Sequence, residues 1–351
     1  MGTIEHDNIL VTEDEYITLY VIGYEDQGES IILTIGNNKF AGVIDCYKTS
    51  KEFITKKILK ELNVKYLDFI CWTHIDWDHT YGISQLGKYI NKDTAFILPE
   101  GITSRQIHNL INRKDIEEYH KKEYNKIYEM INNIDDDLLF SVNQTSFHIY
   151  NFSLVVAGTD KRYDFVINVF SPISGIVRQC VDAEIQIFYD SITTQDGNKT
   201  LNKNWYEEPN KTNNLYSVGL KVEIINDDDV VSICLCGDLD NKTIETMKEN
   251  KRNLIFNKNT LIKIPHHGSQ SADKLFDMNC IEEFQYAVTT SYKKKLPVKG
   301  ILDKYKSKST GAVSQTKLHK GSFGVVKYNI LLKDLKVLKP EYENSAGEYI
   351  K

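Results

Sequence analysis

Between Glu15 and Cys46 the apolar residues arrive in three short β-rich runs, YITLYVIG, SIILTIG and FAGVIDC, parted by Gly, Asn and Asp. This pattern predicts consecutive strands joined by tight turns. In TSKEFITKKILKEL, Thr49 and Glu52 stand at capping-box spacing ahead of apolar residues at helical intervals, which predicts a helix. The nearly unbroken apolar run YLDFICW suits a strand buried on both faces. A polar loop, a short helix and the strand TAFILPE follow. The charged stretch from Ser104 to about Asn132 then breaks the strand pattern and reads as a helical insertion, spanning about 102–135, that embellishes the surface. Strand patterns resume at FHIYNFSLVVAG and FVINVFSP, and a long polar loop is expected over about 173–212.

The runs LYSVGLKVEII and VVSICLCGD flank NDDD, so a β-hairpin is expected, with Asp227, Asp228 and Asp229 as turn residues. Beyond it helix and strand alternate through NKTIETMKEN, TLIKIP, SADKLFDM and YAVTTSY, and the polar tail at about 337–351 is expected to fray. No repeat or linker interrupts the pattern. The fold class is therefore α/β, one domain over 1–351 with an insertion.

Composition narrows the picture little. The 351 residues are 41% hydrophobic and 26% charged, and no run reaches the ~18 apolar residues of a membrane span. The first twenty residues lack a signal-peptide pattern, so a cytoplasmic location without membrane partners is expected. The six cysteines show no CxxC spacing and read as buried thiols. A net charge of −6 argues against a basic nucleic-acid-coating surface, although SYKKKLPVKGILDKYKSKS concentrates lysines between Ser291 and Ser309.

The candidate chemistry sits in FICWTHIDWDHTYGI. His74, Asp76, Asp78 and His79 fall within six residues of a loop leaving a buried strand, and imidazole with carboxylate is a donor set for zinc, manganese or iron. Two further strand ends repeat the design: SICLCGDLD delivers Asp238, and LIKIPHHGSQ delivers His266 and His267. Three such ends are most simply explained by one shared sheet edge. Trp77, inside the loop, reads as a packing residue.

In this order the motifs resemble the metallo-β-lactamase fold superfamily, whose signature is HxHxDH, with Asp76 standing where its second histidine sits. The HxDxDH loop with PHHGS is similar to the soluble metallo-hydrolase domain of the competence protein ComEC and its stand-alone relatives. YEDQGESIIL, VIDCY and NNLYSVGLKVEI resemble further strands of that branch, and the likeness runs from Tyr16 to about Tyr328, outside the insertion and the long loop.

The resemblance implies a four-layered αββα sandwich and two divalent ions, Mn²⁺ or Zn²⁺ with Mg²⁺ compatible. His74 and Asp76 would hold one ion; Asp78, His79 and one late histidine, His267 by preference, the other; and Asp238 would bridge them. Ser171 stands where the superfamily carries another first-site histidine. Asp78, Asp238 and His266 are the implied catalytic groups, and Ser171, Ser269, Lys295 and Thr316 candidate substrate contacts. The activity implied is phosphodiester hydrolysis, DNA first, with a nucleic acid or nucleotide as partner. The alternatives are hydrolysis of a small nucleotide, ester or lactone, and a silent or partner-activated module of a toxin or defence system, docked through the insertion.

Overall fold

A computed structural model describes the chain except residues 1–2, 5, 103–116, 147, 191, 196–197, 202–212, 228, 251–252, 257 and 278–280. Two nine-stranded sheets face each other, with helices on both outer surfaces, giving the four-layered α/β/β/α arrangement.

The first sheet is built on β2 (Tyr16–Tyr24), β3 (Glu29–Ile35) and β4 (Phe40–Ile44), joined antiparallel. It continues through the parallel strands β5 (Phe69–Cys71), β6 (Ala95–Pro99) and β7 (Leu139–Val142). The second sheet runs from β1 (Ile9–Val11), β8 (Tyr150–Val156), β9 (Arg162–Ser171) and β12 (Gly219–Ile225) into the run β13 (Val230–Leu235), β14 (Leu261–Lys263), β15 (Tyr286–Thr289) and β16 (Val313–Gln315). From β13 to β16 the pairing is parallel.

Strand periodicity explains the layering, because alternate side chains leave opposite faces of a sheet. In β2, Ile17, Leu19 and Val21 enter the core between the sheets, while Tyr20, Ile22 and Tyr24 lie under the helices. In β13, Val231, Ile233 and Leu235 face inward and Cys234 faces the opposite helical layer. The apolar runs are continuous because both faces are covered. Cys46, Cys71, Cys180, Cys234 and Cys236 are buried free thiols; Cys280 lies outside the described residues. Among the described residues no helix is long and apolar enough to cross a membrane.

Four expectations need correction. Helix α1 spans Ile54–Glu61, and the Thr49 hydroxyl accepts from the Lys51 and Glu52 amides five residues ahead of it. The capping-box spacing thus closes a turn before the helix, which starts uncapped at Phe53. Of the insertion, 103–116 lies outside the described residues, but Glu118–Ile131 is a helix that buries Tyr124 and Ile127, and the Tyr124 hydroxyl donates to the Ile75 carbonyl at 2.7 Å. It braces the loop carrying the candidate ligands instead of merely decorating the surface.

The expected loop at 173–212 contains a helix, Ser174–Asp190, and a small hairpin of β10 (Ile192–Gln195) with β11 (Asn198–Leu201), while 202–212 lies outside the described residues. Ile176, Val177 and Cys180 are buried in the helical layer, a spacing that the surrounding polar residues obscure. The C-terminal tail does not fray. Glu341–Asn344 pairs with β17 (Phe323–Leu331), and Gly347–Glu348 pairs with β16, so backbone pairing at two sheet edges holds a segment with little apolar content. The NDDD turn is as expected, the Asn226 amide donating to the Asp229 carbonyl at 2.9 Å; Asp228 lies outside the described residues.

Candidate metal centre

The parallel runs of both sheets end at the same edge of the sandwich, and every candidate ligand follows the C-terminal end of one of those strands. The loop after β5 carries His74, Asp76, Asp78 and His79; β13 leads to Asp238; and β14 leads to His266 and His267. Local backbone geometry turns the side chains inward. Gly237 has φ +52°, and a β-carbon there would meet the Ser217 hydroxyl, so the turn presenting Asp238 needs glycine. His266 and His267 adopt φ 47° and 51°, a conformation costly for side chains of this size and concentrated in proteins at functional sites.

The structure brings six expected residues together. His267 Nε2 lies 3.1 Å from Asp78 Oδ2, 3.5 Å from Asp238 Oδ2 and 3.4 Å from His79 Nε2. His79 Nε2 stands 3.7 Å from Asp78 Oδ2 and 3.4 Å from Asp238 Oδ1. On the other side of Asp238, His74 Nε2 is 3.9 Å from Asp238 Oδ2 and 3.6 Å from Asp76 Oδ2. Asp238 therefore stands between two candidate half-sites, one of Asp78, His79 and His267, the other of His74 and Asp76. All but Asp76 are buried.

Whether these groups suit a cation is tested by their inner atoms. His74 Nε2, Asp78 Oδ2 and Asp238 Oδ1 are buried without a hydrogen-bond partner. Leaving a buried polar atom unpaired costs ~1–3 kcal/mol, more when it is charged, and cations bound on the two sides of Asp238 would satisfy these atoms. Asp78, His79 and His267 also offer ligand atoms within 4.8 Å of one another. The cluster is compatible with a divalent metal.

Asp45, His74 and His79 satisfy the same distance criterion, but the Asp45 oxygens are already engaged. They accept from the Thr73 amide at 2.7 Å, the Thr73 hydroxyl at 2.6 Å and His79 Nδ1 at 2.7 Å. Asp45 thus orients His79 directly and His74 through Thr73. Its bond to His79 fixes the proton on Nδ1 and leaves Nε2 facing the centre. The Thr73 hydroxyl spends its proton on Asp45, so its 2.9 Å contact with His74 Nδ1 makes that nitrogen the donor as well. Asp45, buried at a strand end, was not singled out in the sequence; VIDCY carried the signal.

The remaining expected residues divide. His266 is partly buried outside the cluster, Nδ1 held by the Ser271 hydroxyl at 2.7 Å and the ring against the Asn214 amide, and burial lowers its pKa. Ser269 caps the turn supplying Ser271. The Ser171 hydroxyl donates to the Ser217 carbonyl at 2.7 Å, and the Ser217 hydroxyl accepts from the Asp238 amide at 2.9 Å, so Ser171 supports the strand junction beneath the bridging carboxylate. Thr316 is fully buried against Gly23. Lys295 is exposed, whereas the ammonium of Lys293, which sequence reasoning passed over, lies 4.8 Å from the centre of the Tyr292 ring, itself stacked on His267. Trp77 packs between Tyr81 and His120, in keeping with a packing residue.

Without metal the centre is a set of ion pairs. Burial alone would raise the Asp78 carboxyl, but the His79 and His267 charges pull it down to about 2, and Asp238 is driven well below the carboxylate range by the same two rings. Against the opposing effect of burial, the surrounding carboxylates raise His79 well above its ordinary value and His267 to about 9. A metal must displace these protons. Binding should release protons and weaken as pH falls below about 9, by roughly tenfold per unit for each proton displaced. Titration calorimetry in buffers of differing ionisation enthalpy measures this; a pH-independent affinity would contradict the assignment.

No protein-family model matches the sequence, and no curated protein matches it. Solved structures similar to it include the Rm3 metallo-beta-lactamase, at 8% identity and TM-score 0.34, covering 79% of this chain and 84% of that one. Another is MEM-A1, a subclass B3 metallo-beta-lactamase isolated from a soil metagenome library, at 9% identity and TM-score 0.32, covering 73% and 79%. A HARLDQ motif mutant of a metallo-beta-lactamase from Cronobacter sakazakii aligns at 10% identity and TM-score 0.31, covering 74% and 79%.

Proposed function

We propose that the chain is a metal-dependent hydrolase of phosphodiester bonds, with DNA as the first substrate to test. The observation carrying this reading is the gathering of His74, Asp76, Asp78, His79 and His267 around Asp238, with His74 Nε2, Asp78 Oδ2 and Asp238 Oδ1 buried and without a hydrogen bond. Charge supports a dinuclear centre. Asp45, Asp76 and Asp78 pair with His79, His74 and His267, and Asp238 and Glu29 with Lys263, an excess of carboxylates that divalent cations would offset. The carboxylate-rich set is harder than a histidine cage and tilts the choice toward manganese.

When bound, such a pair of ions supplies Lewis acidity and a water ionised near neutral pH, the chemistry that phosphodiester cleavage needs. The protein groups supply the rest. Asp45 and Thr73 hold His79 and His74 in the required tautomer, and Asp238 joins the two half-sites. His266, beside His267 with its Nδ1 held by the Ser271 hydroxyl, is the candidate for proton exchange with the leaving group. At the mouth, Lys293 offers a cation to a phosphate oxygen.

The test is cleavage of single-stranded, duplex and plasmid DNA and of a small phosphodiester with Mn²⁺, Mg²⁺, Zn²⁺ or EDTA, beside a His74→Ala/Asp78→Ala variant. Metal-dependent DNA cleavage absent from the variant is expected. Cleavage of the small diester alone would move the substrate to a nucleotide; cleavage of neutral esters but no phosphodiester would overturn the reading.

A further inference from the structure

Beneath the centre lies a charged pair that ligand chemistry does not require. Lys263 is completely buried at the end of β14 and Glu29 almost completely at the start of β3, with Nζ 2.8 Å from Oε2. Sandwich cores are not improved by ion pairs: replacing a buried pair with apolar groups is often neutral or stabilising, whereas breaking one is costly. Its position suggests another role. Lys263 Nζ donates to the Gly237 carbonyl at 3.2 Å and lies 3.8 Å from Asp238 Oδ1, gripping both residues of the turn that presents the bridging carboxylate.

Glu29 reaches the other half of the site. Its Oε2 accepts from the Thr290 hydroxyl at 2.6 Å, and that hydroxyl contacts His267 Nδ1 at 2.7 Å. Because the hydroxyl proton goes to Glu29, the oxygen has only lone pairs for the ring. His267 Nδ1 must donate, and Nε2 turns its lone pair toward Asp78 and Asp238. The relay mirrors that of Asp45, Thr73 and His74, with carboxylates from neighbouring strands of one sheet and histidines from loops of both.

We propose that the buried Glu29–Lys263 pair, with Thr290, is a positioning brace for the metal centre: Glu29 fixes His267 through Thr290, and Lys263 holds Asp238 in its bridging place. This rests on the metal-centre reading of the site. Neither residue touches substrate, and both act through a ligand.

Co²⁺ binding, followed by titration calorimetry and by the visible absorption of the bound ion, tests the brace without recourse to activity. Thr290→Val keeps shape and removes the relay; it should weaken Co²⁺ binding by about 10- to 100-fold and alter the absorption bands. Thr290→Ser should restore both. The double variant Glu29→Gln/Lys263→Met removes the pair together, so it should fold with a melting temperature near wild type while binding Co²⁺ at least about tenfold more weakly. Wild-type affinity and spectra in Thr290→Val or in the double variant would overturn the brace and leave the metal centre standing. A double variant that does not fold would make the pair a fold element and overturn it too. A wild-type protein that takes up no Co²⁺ would overturn the centre and the brace together.

Discussion

Asp238→Ala should leave the chain folded, remove joint metal binding by the two half-sites, and lower hydrolysis by more than about a thousandfold. The carboxylate lies within 4 Å of His74, His79 and His267, so among the described residues it is the group standing between the two sides of the proposed centre. The fold should survive because the change is electrically self-correcting. His79 and His267 hold protons largely through nearby carboxylates, Asp238 among them, and shed them more readily once it is gone, while Lys263 keeps Glu29 as partner. Thermal melting with and without Mn²⁺ separates the effects. The wild type should be stabilised by the ion and the variant should not. Wild-type turnover by the variant would rule out a bridging role.

Asp45→Ala should be damaging in a different way, lowering stability by about 3–5 kcal/mol as well as metal affinity. The side chain is almost fully buried and accepts from the Thr73 amide, the Thr73 hydroxyl and His79 Nδ1. Alanine leaves these donors unsatisfied and frees His79 to choose its tautomer. Denaturant unfolding of the metal-free protein should detect the loss; a variant as stable as wild type would mean that the donors find other partners. Asp45→Asn should be milder, retaining one acceptor oxygen.

The contrast between Asp238 and Asp45 shows what a sequence can reveal about such a site. His74, Asp76, Asp78 and His79 are legible because ligand types crowd into six residues, and Asp238 and His267 because a glycine beside each marks a turn at a strand end. The residues that orient them are not crowded. Thr290 and Glu29 are 261 positions apart and meet only when the two sheets close. Lys263 did leave a trace, a lone charge inside LIKIP, yet only the three-dimensional pairing gives it a role.

The fold was legible for the same kind of reason. Strands covered on both sides read as continuous apolar runs, which made the α/β class legible, whereas the four-layered arrangement was implied only by the motif resemblance. The helix at Ser174–Asp190 was missed because polar residues obscure its apolar spacing, and the paired tail at Glu341–Glu348 because backbone pairing holds a segment with few apolar residues. The capping-box spacing at Thr49 misled because one local hydrogen-bond pattern can close a turn as readily as it opens a helix.

The central claim is that the cluster around Asp238 is a metal centre. Equilibrium dialysis of the wild-type protein against Mn²⁺ or Zn²⁺ at pH 8, followed by elemental analysis, tests it most directly. Two ions per chain are predicted, falling sharply in Asp238→Ala. A wild-type protein that retains neither ion, or an Asp238→Ala variant that retains as much as wild type, would contradict the account.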